Sequence, residues 1–249
     1  MASGADQQHD LRLAHRVQQA LLPINHPIVP HFDLLAWNQS AHHTGGDYYD
    51  WFTLPNGRLA IALADATGHG VSAALSIVAF RAYVRAVLGQ EDDFERQIAR
   101  INDFLVDDLS DGRFVTALIG VLNPATRTLA LHAAGHGPLF FVRAAGGVTE
   151  RWEADGMPLG VLKTEISPLV REVEFARGDL LLALTDGFLD WPGSAGRGPG
   201  LNGLADMIER HRALPLHDLI AALHGQVLES VGVAGQHDDL TALALRCVS

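Results

Sequence analysis

Four short segments of the chain set aspartates at the ends of apolar runs: Gly45-Gly46-Asp47-Tyr48-Tyr49-Asp50, Asp65-Ala66-Thr67-Gly68-His69-Gly70, Thr185-Asp186-Gly187 and Gln236-His237-Asp238-Asp239-Leu240-Thr241. Asp65 and Asp186 each close an apolar run, and Asp47 and Asp238 each open one. Carboxylates at strand ends are held by rigid backbone, while glycine lets the chain turn close to a ligand. Gathered without a counter-charge, such carboxylates raise one another's pKa values and destabilise the fold. Hard divalent cations remove that penalty, and Mg²⁺ or Mn²⁺ suits an all-oxygen site. Any one of these segments is a common turn for structural reasons. Four of them in one chain point to a metal centre. Asp50 and Asp239 read equally well as ligands or as supporting acids. His69 and His136 read as packing or turn-supporting residues, and His42 and His43 as solvated loop residues.

The elements that must position these acids follow from periodicity. Leu11, Ala14, Val17 and Leu21 recur at helical spacing over Asp10 to Leu22, with Pro23 as a stop. Tyr48 to Leu54 and Arg58 to Ala64 flank Pro55-Asn56-Gly57, a strong hairpin signal. Gly70 to Leu88 and Phe94 to Leu109 read as helices, the second capped by Asp93. Strands are expected at 116–122, 128–134, 139–143, 148–152, 169–175, 180–185 and 240–248, and helices at 201–211 and 216–231. The connections between successive strands are too short for parallel crossovers, so the sheets must be largely antiparallel. Leu180 to Leu184 is apolar on both faces, which asks for a sheet covered twice. The fold class is α+β, a β-sandwich flanked by helix pairs. The chain divides into a helical lead-in over residues 1–23 and one domain over residues 24–249, with Pro192 to Gly200 as a surface loop.

Composition narrows the function further. A net charge of −11, from 29 acidic against 18 basic residues, repels phosphate backbones and anionic lipid, so nucleic acid and membrane are poor partners. The one cysteine, Cys247, cannot form an internal disulfide, and no Cys/His cluster has zinc-finger spacing. There is no signal-peptide pattern and no apolar run of membrane-spanning length, so a cytoplasmic, soluble protein is expected. Trp37, Trp51, Trp152 and Trp191 are expected to pack in the core or at its rim.

The order GGDYYD, DATGHG, TDG, GQHDDLT resembles the SpoIIE-type branch of the PPM (PP2C-like) phosphatases, as do Val17-Gln18-Gln19-Ala20-Leu21-Leu22-Pro23, Ala134-Gly135-His136-Gly137-Pro138 and Met157-Pro158-Leu159-Gly160-Val161. The resemblance covers nearly the whole chain. It implies an α-β-β-α sandwich holding two divalent cations, Mn²⁺ or Mg²⁺, with Asp65 bridging both and the carbonyl of Ala66 beside it. By the same resemblance Asp186 and Asp238 are ligands of the first metal, and Asp47 holds the second directly or through water. It further implies direct attack on the phosphoryl group by a metal-bridging hydroxide, without a phosphoenzyme. Thr67 stands where eukaryotic-type relatives carry a histidine proposed as general acid, and the phosphate-gripping arginine of many of them has no counterpart here.

The function so implied is hydrolysis of phosphoserine or phosphothreonine on a protein partner, with a STAS-type anti-anti-sigma factor as the partner class. A non-catalytic PP2C-like interaction module is the alternative; loss of a metal aspartate would favour it, and none is missing. A nuclease or nucleotide hydrolase lacks its basic stripe and P-loop. The first helix either packs on its own domain or, as in relatives, acts as a lever or dimer contact, so a homodimer through it is expected. Almost nothing precedes that helix, which reads as a stand-alone phosphatase or an excised domain.

Overall fold

In the computed structural model, which describes residues 4–41, 44–90, 93–145, 149–189, 200–231 and 238–249, helix α1 (Gly4–Gln19) leads into strands β1 (Phe32–Gln39), β2 (Asp47–Thr53) and β3 (Leu59–Ala66). Helices α2 (Val71–Val87) and α3 (Phe94–Asp108) follow. Next come β4 (Val115–Asn123), β5 (Thr128–Ala134), β6 (Leu139–Val142), β7 (Thr149–Trp152), β8 (Arg171–Glu174) and β9 (Leu180–Leu184). A short 3-10 turn over Asp186–Phe188, helices α4 (Gly200–His211) and α5 (Leu216–Val231) and strand β10 (Leu240–Cys247) complete the chain.

Local chemistry accounts for most of these boundaries. Gly57 takes φ 78° and closes the β2–β3 hairpin, with the Leu54 amide donating to Arg58 and the Gly57 amide to Leu54. Asp93 caps α3 by accepting the Arg96 amide at 2.9 Å. Helix α1 ends three residues earlier than the spacing predicts. Pro23 disfavours helical backbone at the residue before it, and Leu21 and Leu22 instead donate to Gln18 and Gln19 in tightened turns.

Every strand pair is antiparallel, in two five-stranded sheets ordered β1-β10-β9-β6-β7 and β2-β3-β4-β5-β8. Between them lies a core that includes Phe32, Leu34, Ile61, Leu118, Phe141, Leu181, Leu243 and the buried thiol of Cys247. Helices α2 and α3 cover the outer face of one sheet through Ile77, Phe80, Ile98 and Ile101. Helices α4 and α5 cover the other through Leu204, Ile208, Leu219 and Leu223. The central strands of each sheet are therefore covered on both faces, and all five residues of β9 are buried. The α-β-β-α sandwich is present as expected.

Strand β1 adds an element that periodicity did not announce. Phe32, Leu34 and Ala36 face the inter-sheet core, whereas Leu35 and Trp37 pack toward the α4–α5 layer. An apolar run covered on both sides has no alternation to read. Trp51 is buried, Trp152 stacks on Phe141 with centroids 4.7 Å apart, and Trp37 meets His224 at 4.6 Å. Trp191, His42 and His43 lie outside the described residues, as does the loop after Pro192 up to Gly200, where α4 opens. Among the described residues, no helix is long and apolar enough to cross a membrane.

Candidate metal centre

One end of the sandwich collects the aspartates because register and turns put them there. Asp47 opens β2 directly opposite Asp65 near the end of β3. On the other sheet, β9 stops at Leu184 and the Thr185 amide donates to Thr241 on β10 at 2.9 Å. That pairing brings the turn carrying Asp186 alongside the segment carrying Asp238 and Asp239. Gly187 packs against the Asp239 backbone so closely that a Cβ there would overlap the Asp239 carbonyl oxygen.

The acids differ sharply in environment. Asp47 is buried, and its Oδ2 accepts hydroxyl hydrogen bonds from Thr185 at 2.8 Å and Thr241 at 2.5 Å. Asn38 in turn donates to the Thr241 hydroxyl at 2.7 Å. Burial and then the charge of Asp65 push the Asp47 carboxyl well above the usual range, against the two hydroxyl donors. Asp65 is pushed up to about 7, first by burial and then by Asp186, Asp238 and Asp239. Asp186 and Asp238 themselves are exposed at the rim.

Asp239 and Asp50, left open by the sequence, separate here. Asp239 is buried and holds loops: its Oδ1 accepts the Ala41 amide at 2.7 Å and its Oδ2 the Gly46 amide at 3.0 Å. Asp50 stands apart from the cluster. Its carboxylate takes Arg85 in a two-pronged contact, Nε and Nη2 each at 2.7 Å, plus the Tyr48 hydroxyl and the Trp51 amide. Asp50 is fully buried while Arg85 is 35% exposed, and the pair ties α2 to β2.

The histidines take structural places. His69 is exposed beside the Gly68–Gly70 turn. His136 is fully buried and hydrogen-bonded to the Leu184 backbone, and burial lowers its pKa to about 4, so it is neutral near pH 7. It supports the turn between β5 and β6.

The donor set fits hard divalent cations in kind: carboxylate oxygens, crowded enough to repel, with a backbone carbonyl among them. Gly46 matters to that carbonyl, because a Cβ there would lie 2.6 Å from the Ala66 oxygen and 2.8 Å from Asp65 Oδ1. The side chains are grouped electrostatically without closing on one point. Among the described residues, no three His, Cys, Asp or Glu side chains are spaced to hold an ion as they stand.

Thr185 and Thr241 were missed as site residues although their motifs were plain, and the part played by Asp239 was left open. Their hydrogen bonds run from one sheet to the other, or from loop to loop, and spacing along the chain carries no trace of that.

Residues 55–248 match the family described as stage II sporulation protein E (SpoIIE). The chain belongs to the SpoIIE family. The stretch matched to SpoIIE contains Asp65, Asp186 and Asp238, while Asp47 and α1 precede it. Two curated proteins are similar along 95% of this chain: Protein IcfG of Synechocystis sp., 22% identical, and phosphoserine phosphatase RsbU of Bacillus subtilis, 25% identical. This SpoIIE-family chain spans 41% of IcfG and 70% of RsbU. The SiaA-PP2C domain of Pseudomonas aeruginosa superposes with a TM-score of 0.82 at 26% identity, over 99% of both chains. The SpoIIE-family fold is thus that of PP2C-like phosphatase domains.

Proposed function

We propose that this chain is a metal-dependent protein phosphatase that hydrolyses phosphoserine or phosphothreonine on a signalling partner, a STAS-type anti-anti-sigma factor being the class of partner. The observation that carries the reading is the gathering of Asp47, Asp65, Asp186 and Asp238 at one end of the sandwich of a SpoIIE-family chain, where burial and then this crowding push Asp65 up to about 7. A carboxyl so placed is half protonated near neutrality, and a divalent cation that supplies the missing counter-charge has to displace that proton. Asp65, the Ala66 carbonyl, Asp186 and Asp238 would hold Mn²⁺ or Mg²⁺, and Asp47 a second such ion. Two divalent cations bound there would neutralise phosphoryl oxygens and lower the pKa of water. Thr185 and Thr241 fix one oxygen of Asp47, and Asp239 fixes the turn before it. These groups orient the ligands and need not exchange protons with substrate.

The expected result is phosphate release from a generic aryl phosphate in Mn²⁺ that stops in EDTA, with faster release from a phosphoserine-bearing STAS protein. A non-catalytic module would release nothing from either substrate, and that outcome would sink the proposal.

We infer as well that two copies associate through α1. Leu13, Val17, Leu75 and Val78 leave apolar surface along α1 and α2, around a groove of about 390 Å³. Light scattering on the concentrated protein should give the mass of a dimer, falling toward the monomer in Val17→Lys; a monomer throughout refutes it.

A further inference from the structure

One polar side chain of α1 reaches the loop that carries Asp47. Gln18 is 8% exposed, and its amide makes two hydrogen bonds to a single residue: Nε2 donates to the Gly45 carbonyl at 2.7 Å, and Oε1 accepts the Gly45 amide at 3.2 Å. The side chain thereby imitates the pairing of a neighbouring strand. Its surroundings on α1 and the turn after it are apolar, with Ala14, Val17 and Leu21 along the same groove. A buried amide is costly unless both its ends are bonded. Helix packing alone is better served there by leucine or methionine, so the two bonds to Gly45 are what the glutamine supplies.

The loop is gripped from the opposite side as well. A Cβ on Gly45 would overlap Asp239 Oδ2, and that same oxygen accepts the Gly46 amide. The Gly46 carbonyl accepts the Ala66 amide at 3.0 Å. Gly45 and Gly46 are therefore held at three points, by α1, by the segment before β10 and by β3, and Asp47 is the next residue. Of those three, the α1 contact is the one made by a helix.

We infer that Gln18 is a positioning residue for the cation site: through Gly45 it sets where Asp47 and Gly46 stand against Asp65 and Ala66. The inference rests on the metal reading proposed above and names a residue that acts on that site through the backbone of the loop.

Gln18→Met keeps the volume and removes both hydrogen bonds; Gln18→Glu keeps the acceptor and loses the donor. Calorimetric titration with Mn²⁺ should show roughly tenfold weaker binding in Gln18→Met, the scale found when an outer partner of a metal ligand is lost. Amide exchange at Gly45 and Gly46 should quicken while that of β9 stays at the rate of the unaltered protein. Gln18→Glu serves if the methionine variant does not fold, and should also bind Mn²⁺ more weakly. A packing role alone would lower the cation-free melting temperature and leave Mn²⁺ affinity unchanged; that result overturns the inference. If the unaltered protein binds no Mn²⁺, the metal reading falls and takes this inference with it. If protein and variants bind alike, only the inference falls.

Discussion

Replacing Asp65 by asparagine is expected to lower phosphate release by at least about a hundredfold, since even outer partners of metal ligands are worth 10–100-fold. The same change should make the cation-free fold more stable at about pH 8, and the sign follows from linkage. In the unfolded chain this carboxyl titrates near 3.8, and in the fold at about 7. Between those values the folded state holds the extra proton. The stability this contributes is complete below the unfolded value and is lost as pH rises through the folded one. The displacement corresponds to on the order of 4 kcal/mol at full expression. Asparagine has the shape without the titration, so its melting temperature in EDTA should lie above that of the unaltered protein at alkaline pH and converge with it in acid. Undiminished phosphate release from Asp65→Asn would end the metal assignment. Parallel melting curves at every pH would end the account of its burial.

Mn²⁺ should stabilise the unaltered protein by an amount set by mass action. At a free concentration a hundred times the dissociation constant, one site contributes about 2.7 kcal/mol. For a chain of this size each kcal/mol moves the melting temperature by about 2–4 °C, so a rise of roughly 5–10 °C is expected. The gain should be larger at neutral than at acid pH, because Asp65 must lose its proton to the cation. Asp65→Ala should keep only a fraction of it. Melting temperatures that coincide in millimolar Mn²⁺ and in EDTA would contradict the proposed centre.

The sandwich was legible wherever one local signal decided the outcome. Asn56-Gly57 announced a hairpin, Asp93 a cap, and the short connections an antiparallel sheet. Strand β1 escaped because its partner is the last strand, with Phe32 opposite Cys247, and because both its faces are covered. The acids could be named as a set from their short segments at the ends of apolar runs, yet their division of labour could not. Asp238 and Asp239 are neighbours at the bend before β10, and one is exposed at the rim while the other is buried between loops. Asp47 and Asp50 fall on β2 three residues apart, one turned to the other sheet and one to α2. Gln18 was part of a quoted stretch, but its bond to a backbone 27 residues away left no pattern to find.

Asp47 belongs to one sheet, and both hydroxyls that it accepts belong to the other. It is a clasp: the two layers cannot slide at that end without stripping a buried carboxylate of its donors. A cation held by this acid, as proposed, would load the clasp, and linkage works in both directions. Poor packing deep between the sheets would then surface as weakened cation binding, and loss of the cation would be felt as slack between layers far from any ligand.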